Sequence, residues 1–254
     1  MRAIRWILCT ALAVTTVLFA ATGVLEHFSG RKEGPVLECS DEVLAVSVRA
    51  SEAELLAGVT ASDAQDGDLT EEIIVGGVSK LIGGDLAQVT CLVFDSDDNM
   101  ASLTRQIRYT DYHRPLIQLT EPLEYADPGE AKLLSRISVT DAVDGDISAR
   151  ARVSTLWATE NKSVYSATIS VTNSMGDIAD VEVPVIIRPT PSSIRLRQQI
   201  VYLDRGAAFE PMDYIASNKA GLSVRCDGST DEPGCWWVWY SAGSDFAILT
   251  VVVA

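Results

Sequence analysis

Histidine is nearly absent: the chain holds His27 and His113 and no other. No two of its five cysteines are spaced Cys-x-x-Cys. A zinc site of sulfur and imidazole ligands and a histidine-based triad are therefore both poorly supplied. Basic residues are also short, with 20 Lys and Arg against 35 Asp and Glu, a net charge of −15 over 254 residues. That balance excludes a nucleic-acid partner, which needs a basic stripe. It equally excludes attachment to anionic surfaces by simple charge attraction. Disorder is excluded from the other side, because 47% of the residues are hydrophobic.

What is present begins with one uncharged run from Trp6 to Leu25. At about 1.5 Å per helical residue this run matches a hydrocarbon core of roughly 30 Å. Arg2 and Arg5 precede it and keep that end in the cytoplasm by the positive-inside tendency. The run predicts a single-pass signal anchor in the cell membrane, with the C-terminal part extracellular. The alternative is a cleaved signal peptide, with small residues near Ala21 to Gly23 as its peptidase site. Cys9 inside the run reads as a buried apolar thiol.

An internal repeat follows. Residues 59–70 read VTASDAQDGDLT and residues 137–148 read ISVTDAVDGDIS. Asp63, Asp66, Gly67 and Asp68 align with Asp141, Asp144, Gly145 and Asp146. The same offset carries Val89, Cys91 and Val93 onto Ala167, Ile169 and Val171, and Asp95-Ser96 onto Asn173-Ser174. One register held across both halves of a unit indicates duplicated domains. Within them the hydrophobic period is two: Tyr165, Ala167, Ile169 and Val171 alternate with Ser166, Thr168, Ser170 and Thr172, and Val181, Val183, Val185 and Ile187 form another such series. That is the pattern of strands with one face on a core. Turn signals such as Asp66-Gly67, Gly83-Gly84 and Asp144-Gly145 separate the strands. A third unit opens near Pro191, where Ile194 and Leu196 repeat the spacing of Ile117 and Leu119. Its acidic motif is replaced by Ser217-Asn218-Lys219-Ala220-Gly221-Leu222, and it ends in an alternating strand through Trp236, Val238 and Tyr240. The sequence thus predicts an all-β chain of three tandem Ig-like β-sandwich modules after an N-terminal transmembrane helix. The predicted segments are a cytoplasmic stub (1–5), the anchor (6–25), a spacer (26–35) and modules at 36–111, 112–189 and a divergent 190–254. The short, proline-bearing linkers predict modules strung outward in an extended series.

The signature Asp-x-x-Asp-Gly-Asp-[Leu/Ile]-[Thr/Ser], the strand ending in Asp95-Ser96 or Asn173-Ser174, Thr104-Arg105 before a strand with Asp111 at the boundary, and Pro115-Leu116-Ile117-Gln118-Leu119 together resemble a known family. It is the bacterial immunoglobulin-like surface domain, as in the Ig-like modules of pesticidal crystal proteins, related to hyalin repeats. The resemblance covers roughly residues 36–254, strongly in the first unit and weakly in the third. It implies tandem modules on a secreted or surface protein, serving as stalk or adhesion element.

Three groups of residues are candidate sites. Asp63, Asp66, Asp68 and Asp95, with Asp141, Asp144 and Asp146, support two readings. One is turn chemistry, in which Asp side chains accept from nearby backbone N–H groups. The other is weak calcium binding, since Ca²⁺ takes carboxylate oxygens on a flexible loop. Calcium is the one cofactor these residues suggest. Cys39 with Cys91, and Cys226 with Cys235, each fall within one module and are expected as disulfides in an oxidising exterior. Trp237 and Trp239 fall on the strand face opposite Trp236, Val238 and Tyr240 and are expected to face outward. Exposed, they would bind a protein partner or stack on sugar rings; covered, they would pack against a neighbouring module. Asn161-Lys162-Ser163 matches a glycosylation acceptor pattern and agrees with a surface loop.

Acidic residues cluster in a repeated turn rather than converging once, which argues against catalysis. The expected function is a membrane-anchored extracellular stalk, adhesion or envelope-interaction module without enzymatic activity. Its partners would be the membrane through residues 6–25 and a surface protein or glycan. Two alternatives stand: a carbohydrate-binding module using Trp237 and Trp239, and an accessory domain of a surface enzyme or assembly system.

Overall fold

The structure, a computed structural model, describes residues 34–40, 42–217 and 221–254. The expected membrane span at residues 6–25, with Cys9 in it, lies outside the described residues. Among the described residues no helix is long and apolar enough to cross a membrane. The chain is all-β there, with a single short α-helix, α1 (Glu52–Leu55).

The first stretch of chain contributes β1 (Val36–Cys39), β2 (Val43–Val46), β3 (Val59–Asp63), β4 (Gly67–Asp68), β5 (Ile74–Val78), β6 (Leu86–Phe94) and β7 (Met100–Tyr109). The middle contributes β8 (Leu116–Leu119), β9 (Glu124–Tyr125), β10 (Ile137–Asp141), β11 (Gly145–Asp146), β12 (Arg152–Ala158), β13 (Val164–Thr172) and β14 (Ile178–Ile187). The last contributes β15 (Ile200–Leu203), β16 (Ser223–Cys226), β17 (Gly234–Ala242) and β18 (Asp245–Val253). Among the described residues five sheets result, in the orders β1-β3-β4, β2-β7-β6-β5, β8-β10-β11, β12-β13-β14-β9 and β15-β18-β17-β16. One device recurs three times. A short opening strand pairs in parallel with the last strand of its sheet: β2 with β7, β9 with β14, and β15 with β18.

The chain packs as two compact units. Unit one takes the described residues up to Glu42 together with Glu52–Gly77 and Val89–Arg105. Its core joins Val59 and Ala61 of β3 to Cys91 and Val93 of β6, with Leu69 and Ile73 closing one end. Arg105 is buried there. Its Nη1 donates to the carbonyl of Ala57 at 2.8 Å, and its Nη2 donates to the carbonyl of Leu55, the last residue of α1. A guanidinium thus satisfies carbonyls that a one-turn helix leaves open.

Unit two takes Val43–Ser51, Val78–Gln88 and Gln106–Ala254. Its larger core is a sandwich. Ile117, Ile137 and Val139 from one sheet meet Ala167, Ile169, Val171, Val181, Val183 and Val185 from the other. The period-two series in β13 and β14 therefore lies on the core as the alternation predicts. A second core gathers Val201, Val238, Tyr240, Leu249 and Val251 under one face of the β15-β18-β17-β16 sheet. Among the described residues the opposite layer of that core is not a sheet. It consists of Ile194, Phe209, Tyr214, Leu222 and their loops, and the strand pairing described there is one bridge between Leu196 and Ile215. Among the described residues the expected third sandwich is half a sandwich: the Ile194–Leu196 alternation forms only a bridge, and the chain beyond β15 breaks at the 3₁₀ turn Pro211–Tyr214.

The other face of that last sheet is also covered. Val164 and Ile186, on the outer face of β13 and β14, pack against Ile248, Trp237, Trp239 and Phe246. Ser166, expected to point outward, is 2% exposed and donates to Glu182 Oε1. The last sheet therefore lies against the flank of the preceding sandwich, where the linker lengths predicted an extended series. The reason is apolar area. Both surfaces carry large side chains that neither core can absorb, and stacking them removes both from water.

Candidate functional site

The two acidic motifs fold into the same turn. Gly67 and Gly145 sit at its tip with φ of 80° and 72°, a left-handed conformation that a Cβ would strain. Asp63 Oδ1 accepts from Gln65 N at 2.7 Å and Asp66 N at 3.0 Å. Asp141 Oδ1 repeats this with Val143 N at 2.9 Å and Asp144 N at 2.8 Å. Asp66 reaches the next turn, accepting from Ser96 N and Ser96 Oγ, both at 2.8 Å. Asp144 accepts from Ser174 N at 2.7 Å and Ser174 Oγ at 2.6 Å. The Ser174 hydroxyl, with help from its amide and from Arg150, holds the Asp144 carboxyl below the usual range. Asp68 and Asp146 accept from the first residue of the 3₁₀ turns that follow, Thr70 N at 3.0 Å and Ser148 N at 2.9 Å. The motif is a staple between two turns, built from charge-assisted hydrogen bonds.

The two copies differ at the strand end. Asn173 Nδ2 donates to Asp141 Oδ2 at 3.0 Å and to Tyr112 Oη at 3.1 Å, and Tyr112 donates to Asp177 Oδ2 at 2.8 Å. Unit one has Asp95 in place of Asn173. Asp95 accepts from Asn99 Nδ2 at 2.7 Å and from the amides of Asp97 and Asn99. Asp63 Oδ2 is buried there without a hydrogen-bond partner. Among the described residues, no three His, Cys, Asp or Glu side chains converge as a metal-binding group.

The cysteines do not pair as expected. Cys226 stands opposite Val238, and Cys235 opposite Val252. Antiparallel partners share a face, so Cys226 lies on the Val238 side of the sheet. Cys235 lies on the other side with Trp237 and Trp239, three residues out of register. The register therefore does not bring the expected Cys226–Cys235 pair together. Cys235 donates instead to the carbonyl of Glu182 at 3.4 Å, and burial pushes its thiol up to about 11. Cys39 and Cys91 do share a core, but no disulfide joins them. Arg105 Nη1 donates to Cys39 Sγ at 3.3 Å.

Trp237 and Trp239 are half-buried rather than outward-facing. Trp237 Nε1 donates to the carbonyl of Glu182 at 3.2 Å, the acceptor also used by Thr250 Oγ1. Trp239 Nε1 donates to Asp227 Oδ2 at 2.6 Å. The two rings lie 6.3 Å apart at 65°. Arg225, directly opposite Trp239 on edge strand β16, places its guanidinium 5.0 Å from the Trp239 ring and pairs with Asp227 at 3.2 Å. What stays open beside the indoles is a cleft of about 680 Å³, lined also by Glu160 and Asn161 of the β12–β13 loop. Sequence reasoning found the tryptophans and missed Arg225, Asp227 and Glu160. Those residues join the site only through strand register and through the stacking of one sheet on another.

No known family matches the chain, and no curated protein does. Solved structures show remote likeness. CBM51-2 in complex with GlcNAc and INT domains from Clostridium perfringens ZmpB is 18% identical over 58% of this chain and 26% of that one, with a TM-score of 0.25. This chain thus spans about a quarter of that structure's length. The protocadherin gammaB7 EC3-6 cis-dimer structure is 10% identical over 87% of this chain and 76% of its own, with a TM-score of 0.22. The lipoprotein BT2262 from Bacteroides thetaiotaomicron is 9% identical over 85% and 98%, with a TM-score of 0.21.

Proposed function

We propose that the chain is a non-catalytic, membrane-anchored surface module whose last sheet is held in a fixed pose to meet an extracellular partner. The observation that carries this is the seal between that sheet and the sandwich before it. Arg188 pairs with Glu124, lies 4.6 Å from the Phe246 ring, and donates to the Phe246 carbonyl at 2.7 Å. Asp245 accepts from Ser192 Oγ at 2.8 Å and Ser193 Oγ at 2.6 Å. Tyr202 Oη accepts from Ile117 N at 2.8 Å and donates to Ile117 O at 2.9 Å. A hinge would leave these groups in water; here they are spent on one geometry. Presentation without catalysis also fits acidic side chains that are engaged in turn staples. The resemblance to bacterial Ig-like surface domains and the uncharged run at Trp6–Leu25 support the same reading.

Cys226 supplies the test, because it is exposed. A membrane-impermeant maleimide added to intact cells is expected to label Cys226, and Cys226→Ser to abolish the label, with the protein in the membrane fraction. Labelling only after lysis, or recovery in the soluble fraction, would refute the proposal. Weak calcium binding is part of the reading only at Asp63, whose Oδ2 has no hydrogen-bond partner. A rise in melting temperature at millimolar calcium, absent in Asp63→Asn, is the expected sign, and an unchanged melting temperature removes calcium from the account.

A further inference from the structure

We infer that the cleft beside Trp237 and Trp239 is a binding site for an uncharged saccharide. Sugars present flat C–H faces bordered by hydroxyls, so their sites need aromatic surface with donors and acceptors at its rim. The cleft has that composition: its apolar lining is the two indoles and Val224, and the remaining lining residues are polar or charged. Its volume of about 680 Å³ falls within the range of small-ligand pockets. The aromatic surface is also fixed beforehand. Each indole is anchored through its own N–H, Trp237 to Glu182 and Trp239 to Asp227. Asp227 in turn holds Arg225 at 3.2 Å. A ligand therefore meets groups that are already ordered and loses little of its binding energy to freezing them.

Charge selects the class of sugar. Glu160 and Asp227 line the cleft against the single cation Arg225, which Asp227 already neutralises. The chain as a whole carries −15. Sialylated, sulfated and phosphorylated ligands are repelled, and a neutral hexose or N-acetylhexosamine is not. The competing occupant is an extended peptide adding to β16, the edge strand of its sheet. A peptide would take main-chain bonds along Ser223–Cys226 and would have little use for two locked indoles beside a neutralised guanidinium.

The test titrates the full chain in detergent with N-acetylglucosamine, galactose and a neutral linear oligosaccharide, read by tryptophan fluorescence and calorimetry. Saturable binding of at least one is expected. Arg225→Gln and Asp227→Asn, both on the rim, are each expected to weaken it about tenfold with the melting temperature nearly unchanged. Trp239→Ala also removes a contact to Phe246, so its loss of binding counts only where circular dichroism reports a folded chain. No saturable signal with any neutral sugar at tens of millimolar would overturn the proposal. So would binding indifferent to the rim variants, a preference for sialylated or sulfated glycans, or binding of an extended peptide in place of sugars. None of these outcomes bears on the surface topology tested by Cys226.

Discussion

Asp144 is the clearest case of a residue whose type is dictated locally. Its side chain is 13% exposed and tied to Ser174 and Arg150. Its folded pKa is depressed, so the stabilisation is present above the ordinary Asp value near 3.8 and is lost as pH falls through the folded pKa. Ser174→Ala is expected to cost about 1 kcal/mol at pH 7. The gap between variant and parent should close below that range, as denaturant unfolding at several pH values would reveal. A gap independent of pH would mean that Ser174 acts through packing alone. The cysteines make a second prediction at this scale. Oxidation is expected to join Cys39 with Cys91, which share one core, and to leave Cys226 and Cys235 as thiols. Non-reduced peptide mapping decides it, and a Cys226–Cys235 peptide would contradict the observed register.

The element that separates pattern from packing is β17. Its alternation assigns Trp236, Val238 and Tyr240 to one side and Trp237 and Trp239 to the other, and the structure keeps that division. Alternation says nothing about what lies beyond a sheet's second face. Here it is Val164 and Ile186. Trp237→Ala is therefore expected to destabilise the chain by about 3 kcal/mol, the cost of emptying a packed aromatic site. A thermal melt tests this, and an unchanged melting temperature would put Trp237 in solvent. The acidic turns behave differently from β17. Asp63, Asp68, Asp141 and Asp146 accept from backbone N–H groups two or three residues away, so composition and spacing alone made the turn reading available, whereas the reach of Asp66 and Asp144 to Ser96 and Ser174 was not.

At the scale of the molecule, the ion cluster at Arg188 holds the last sheet in place. Arg188 and Glu124 are 12% and 11% exposed, and Asp245 lies 3.5 Å from the guanidinium. Arg188→Ala leaves two carboxylates facing each other with no cation between them, a loss of about 3–5 kcal/mol for a pair this buried. Hydrogen exchange is expected to rise first in β15 and β18, and uniform exchange across unit two would assign the cluster no particular role in the seal. By itself the sequence determined the strands, the repeated turn and the tryptophans as a surface of interest, because period, spacing and residue type act over a few neighbours. Only the tertiary structure decided that the third unit is half a sandwich laid against the second, that Cys226 and Cys235 face apart, and that Arg225, Asp227 and Glu160 join the indoles. Those outcomes depend on strand register and on which two apolar faces meet, and contacts between residues far apart in the chain leave no local pattern to read.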